Sequence, residues 1–118
     1  MEGMLFAVTG WTRGMTSSNN QSSFRVPCAC VLEAISLSTA NVNAGVIVIY
    51  ALDEIFWSGN LPSSGTVTWL DQSDWHAFWT NRHGSTVRLR AGQLVSWQID
   101  DEGVAPADLM VVMYFREG

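Results

Sequence analysis

The stretch Arg90-Ala91-Gly92-Gln93-Leu94-Val95-Ser96-Trp97-Gln98-Ile99-Asp100-Asp101-Glu102-Gly103, RAGQLVSWQIDDEG, decides how the rest of the chain is read. Its three consecutive acids are either a metal or acid/base site, or the solvated turn at the end of a strand. Leu94 and Ser96 share one parity while Val95, Trp97 and Ile99 share the other, the period of a strand with Trp97 packed inward. Ala91-Gly92-Gln93 is then the turn leading in, and Asp100 to Gly103 the polar exit. Acid/base work needs two carboxyls facing one another across a cleft in different environments, whereas neighbours on a turn point apart. DDEG also lacks the DxDxDG alternation that wraps calcium. The stretch therefore reads as one corner of a β-sandwich.

Working outward, the chain is rich in Val, Ile, Thr, Ser and Trp, with turn residues at short intervals and weak helical signals. Strands are expected at Met4 to Trp11, Cys28 to Thr39, Val46 to Leu52, Ile55 to Ser58, Thr66 to Leu70, Thr86 to Leu89, Gln93 to Ile99 and Asp108 to Arg116. Phe24-Arg25-Val26 is a short extended piece ending at Pro27. The Cys28 to Thr39 run carries apolar residues on both parities, and VIVIYAL is a nearly continuous run suited to a strand covered on both faces. Asp71 to Asn81 is the one place where a helical turn fits, with Ser73 as a cap and Trp75, Phe78 and Trp79 at i, i+3 and i+4; an irregular aromatic loop is the alternative. Thr12 to Ser23 is polar, lacks an apolar period, and reads as a loop or arm. The expectation is all-β: an antiparallel sandwich or jelly roll of about eight strands. Residues 1-23 form an N-terminal strand and arm that packs on its own sandwich or on a neighbour, and residues 24-118 form the domain proper.

At 118 residues the chain is one domain. Only 14% of residues are charged, few for a free-standing monomer, and burial of surface in an assembly would account for that. There is no lysine, and the net charge of -5 repels a phosphate backbone, so nucleic acid is not expected as a partner. No apolar run approaches the ~20 residues that span a bilayer, and no basic segment opens the chain, so neither a membrane nor a secretory signal is expected and synthesis is cytoplasmic. Cys28 and Cys30, the two cysteines, are expected as free thiols, because a disulfide across so short a loop is strained.

The six tryptophans, Trp11, Trp57, Trp69, Trp75, Trp79 and Trp97, read first as core, second as interface anchors and third as platforms for sugar rings, with Trp69, Trp75 and Trp79 the sugar candidates. His76 and His83 lie at no ligand spacing that a regular element fixes, and are expected as exposed loop histidines rather than a metal site. No GxSxG elbow and no activated cysteine motif is present, so no catalytic residue, cofactor or enzyme activity is expected. Arg88 and Arg90 share one parity of a strand, a face suited to bidentate pairing with carboxylates or to plain solvation.

From Phe24 onward the chain resembles the small jelly-roll domains of tailed-bacteriophage virion proteins, among them capsid decoration (cement) proteins. The resemblance rests on Phe24-Arg25-Val26-Pro27, Cys30 to Leu37, Val46 to Tyr50, Val87 to Trp97 and Ala107 to Phe115. The first 23 residues and the tryptophan-rich middle depart from that outline. The resemblance implies a homotrimer on the outer surface of a phage head, tying subunits of the major capsid protein together in the virion. Contacts are then expected from Met4, Phe6, Trp11 and Arg13, from Trp75, Phe78 and Trp79, and from Arg88 and Arg90. The rival from another class is a glycan-binding module of a tail or fibre.

Overall fold

A computed structural model describes residues 3–12, 21–40, 45–62, 65–100 and 108–118. The chain doubles back on itself at Leu52-Asp53, between β4 (Val46–Ala51) and β5 (Glu54–Asn60). Outward from that turn, each strand pairs with a counterpart beyond it. β3 (Cys30–Ala40) takes β6 (Val67–Asp71), β2 (Gln21–Arg25) takes β8 (Leu94–Asp100), and β1 (Leu5–Thr12) takes β9 (Asp108–Glu117), all antiparallel. The long hairpin is rolled up, so β9 also pairs with β3 and β8 with β4. Sheet A runs β1-β9-β3-β6, with β7 (Val87–Leu89) also on β3; sheet B runs β2-β8-β4-β5. This is a β-sandwich with the winding of a jelly roll, in agreement with the alternation read from the sequence.

The core lies between the sheets. Sheet A contributes Leu109, Val111, Met113 and Phe115, and sheet B contributes Val95, Trp97 and Ile99 opposite Ile47, Ile49 and Ala51; all are buried. Each such large side chain stabilises the fold by about 1.5–3 kcal/mol. The mixed parity of β3 has a specific cause. Its register with β9 shifts between Leu32 and Ala34, so Glu33 is an extra residue, and Cys30, Leu32, Ile35 and Leu37 all reach the core despite the change of phase. Glu33 itself accepts a hydrogen bond from Arg116 Nε at 2.6 Å.

Three local readings need correction. Gln21-Ser22-Ser23, expected within a polar arm, opens strand β2; its serines match the register of β8 and need no apolar period at a sheet edge. The strand expected over Val46 to Leu52 ends at Ala51, and Leu52-Asp53 is the tight turn after it, with φ of 54° and 60°. Between β6 and β7 the chain forms a 3-10 turn (Gln72–Asp74) and then a helix, α1 (Ala77–His83). Asp71, not Ser73, is the cap: its carboxylate accepts from the Ser73 backbone N–H at 2.8 Å, and Asp74 reciprocates on the Asp71 N–H.

Candidate functional site

The outer face of sheet A can be built row by row from its register. One row is Met110, Ser38 and Val67; the next is Thr9, Val112, Ser36 and Trp69; the next is Ala7, Tyr114, Ala34 and Asp71; the last is Leu5, Arg116, Val31 and Arg88. Large apolar side chains stand out of it, with Leu5 64%, Trp69 63%, Val67 53% and Met110 36% exposed. Small residues, Thr9, Ala7, Ala34, Ser36 and Ser38, stand between them. Trp69 lies against the Tyr114 ring, centroids 5.9 Å apart and planes 28° apart, so the indole is braced on its own sheet. Charge sits at the margins: Asp71 at one edge, and at one end Arg88, which donates to the Gly118 carbonyl, and the Arg116–Glu33 pair.

Of the residues singled out from sequence, Arg88 stands in the last row of this face, and Met4 is exposed just before the start of β1. Arg90 lies past the end of β7, exposed, its backbone N–H bonded to Gln93 Oε1 at 2.7 Å. Phe6 points the other way, stacked on Phe115 with centroids 5.1 Å apart. Trp11 pairs in register with Met110, and Arg13 lies outside the described residues.

The aromatic segment is brought together, but in the core. Trp75 and Trp79 are 5% and 1% exposed, meeting Phe56 edge-on at 5.0 and 5.8 Å. α1 packs on β5, and these two rings fill the contact, so neither offers a face to a partner or a sugar. Phe78 is exposed, its ring edge-on to His76 at 5.3 Å. The Trp69, Trp75, Trp79 platform is thus reduced to Trp69.

The histidines are also not free loop residues. His76 is half-buried, its Nε2 3.3 Å from the backbone nitrogen and 3.2 Å from the carbonyl oxygen of Ser58. His83 stacks on Trp79 at 4.1 Å and reaches Glu54 Oε2 at 2.5 Å, where Arg82 also pairs. That cluster clamps α1 to the start of β5. Among the described residues no group of three His, Cys, Asp or Glu is placed to hold a metal. Cys28 and Cys30 are free thiols, and burial, helped by nearby Cys28, pushes Cys30 up to about 11. Such a thiol is packing, not a nucleophile. Asp101, Glu102 and Gly103 lie outside the described residues.

Leu5, Val67 and Met110 went unmarked in the sequence. The signal was present in β9, where Met110, Val112 and Tyr114 are apolar on the parity opposite the core residues, a strand with both faces sticky.

No protein-family model matches the sequence, and no curated protein matches it. Among solved structures the chain is similar to the catalytic unit of a GH87 α-1,3-glucanase from Streptomyces thermodiastaticus, with TM-score 0.51 and 14% identity over 99% of this chain. It spans 27% of that protein's length. It is also similar to the Drosophila NLP-core, with TM-score 0.42, 9% identity, and coverage of 97% of this chain and 98% of that one. The likeness is one of fold.

Proposed function

We propose that the chain is a capsid decoration protein of a tailed bacteriophage, a non-catalytic jelly roll that seats on the outer surface of the head and stabilises it. The outer face of sheet A carries the reading: a surface with Leu5, Val67, Trp69 and Met110 exposed and its charges at the rim. That is the layout of a protein-docking patch, with an apolar centre and a braced tryptophan as the anchor. Four strands about 4.8 Å apart and some 20 Å of strand give a footprint of roughly 400 Å², about half of one partner's share of a standard interface. A homotrimer on the major capsid protein resolves the shortfall, because three modest footprints engaged together gain avidity.

The test is co-sedimentation of the purified protein with expanded heads of the same virus, alongside its mass in solution. A trimer that pellets with heads is expected, and Trp69→Asp should weaken binding by about thirtyfold or more while leaving the melting curve unchanged. A monomer that leaves heads untouched would defeat the reading. Sugar binding dependent on Trp69 would favour the rival, a glycan module of a tail or fibre.

A further inference from the structure

The opposite side of the sandwich carries a feature that the docking reading does not use. On the outer face of sheet B, Ser23, Ser96 and Tyr50 form a single row across β2, β8 and β4, with Gln98 in the next row. They line a depression of about 270 Å³ with Ser22, Leu94 and Trp97, and no charged residue among the described ones borders it. A second depression of about 350 Å³ adjoins it through Leu94, bordered by Arg25, Asp53 and Gln93. The two make a groove that lies within the size range of small-molecule sites, ~300–1,000 Å³.

The polar groups of the first depression are unspent. Ser22, Ser23, Tyr50, Ser96 and Gln98 make no side-chain hydrogen bond to another described residue. The hydroxyls of Ser23, Ser96 and Tyr50, the Gln98 amide and the Tyr50 ring, all on the outward parity of their strands, therefore face the same space, with Ser22 and Trp97, on the inward parity, at its margin. Among the described residues a phosphate or carboxylate ligand would find no cation in the first depression, and a lipid chain would find Leu94 and only parts of the Tyr50 and Trp97 rings. A pyranose matches: its C–H face packs on an aromatic ring, and its equatorial hydroxyls need neutral donors and acceptors at the ring's edge. The adjoining depression has room for the next residue of a chain.

We propose that the groove on the outer face of sheet B binds a neutral glycan, with Tyr50 as the stacking ring and Ser23, Ser96 and Gln98 as its hydrogen-bonding partners. The site is separate from Trp69 and does not rest on the capsid reading. If both hold, one face docks while the other displays a sugar-binding surface outward.

The experiment is a backbone-amide NMR titration of the full chain with neutral hexasaccharides of glucose, mannose and galactose. Saturable shifts are expected at Ser23, Tyr50, Leu94, Ser96 and Gln98 with at least one of them. Tyr50→Ala should weaken that binding by about tenfold or more, and Tyr50→Phe should weaken it less. Ser96→Leu, which fills the floor of the groove without touching the core, should abolish it and guards against loss of fold in the alanine variant. Trp69→Ala should leave it unchanged. Shifts centred on Trp69 and Tyr114, binding that survives both Tyr50→Ala and Ser96→Leu, or no saturable shift at millimolar sugar would each overturn the proposal.

Discussion

Gly10 shows how far one residue's size is set by a distant ring. A Cβ placed there would lie 2.4 and 2.5 Å from Cη2 and Cζ2 of Trp97, well inside contact distance. Trp97 has nowhere to retreat, being buried between Phe24 and the sheets. Gly10→Ala should therefore cost about 1–3 kcal/mol, read from urea midpoints. Trp97→Phe should recover part of that loss in the Gly10→Ala background, since it removes the offending edge and its buried Nε1 has no partner to lose. An unchanged midpoint for Gly10→Ala would show that the contact is loose. Cys30 gives a second residue-scale expectation. Its thiol ionises at about 11 in the fold against an ordinary 9.0. Between those values the unfolded chain gives up its proton first, so the native state binds more protons and stability falls as pH rises. The contribution is whole below about pH 9 and gone once pH has passed about 11. The difference in urea midpoint between wild type and Cys30→Ala should shrink across that window; a constant difference would contradict the burial of the thiol.

At the scale of elements, the turn at Leu52-Asp53 carries strain that its residues do not suit. Both have positive φ, 54° and 60°, the left-handed region natural to Gly and Asn and tolerated by Asp, but costly for Leu. Asp53→Gly should raise stability by about 0.5–1 kcal/mol, and Asp53→Val should lower it by more than about 1 kcal/mol. Equal melting curves for the two variants would mean that the turn relaxes freely. The same elements show what the sequence makes legible. The inward side of β8 could be read from Val95, Trp97 and Ile99, because a strand without bulges keeps its period. β3 could not, because Glu33 shifts its phase midway and spreads core residues over both parities. β2 was hidden because its one large apolar residue is Phe24 and its serines fall on both parities, so the edge strand resembles a loop. Trp75 and Trp79 were misplaced because aromatic spacing says only that side chains share a face, not whether that face meets solvent or Phe56. Tyr50, Ser23 and Ser96 are far apart in sequence, and only the pairing of three strands makes them neighbours.

For the whole molecule, the rolled hairpin dictates an order of assembly. The ladders nest around one turn, from Ile49–Trp57 through Ser36–Trp69 and Ser22–Trp97 to Gly10–Val111, each enclosing more chain than the last. Closing a longer loop costs more entropy unless inner pairs have already formed, so the β4–β5 hairpin and its neighbours should lead and β1–β9 should close last. Transition-state φ-values should therefore fall outward: about 0.5 or more for Ile49→Val, and about 0.2 or less for Val111→Ala, in stopped-flow folding. Both residues are fully buried, so each substitution perturbs stability enough for the ratio to be read. The overall rate should lie in the millisecond-to-second range of domains dominated by distant pairings. A high value at Val111 with a low one at Ile49 would mean that pairing of the chain's outer strands nucleates the fold, and the nested order would have to be abandoned. Late closure has a structural corollary. β1 is an eight-residue edge strand without charge or proline, and an intermediate lacking its pairing exposes Val111 and Met113 along the flank of sheet A. Val111→Ala should then speed unfolding while leaving the folding rate nearly unchanged.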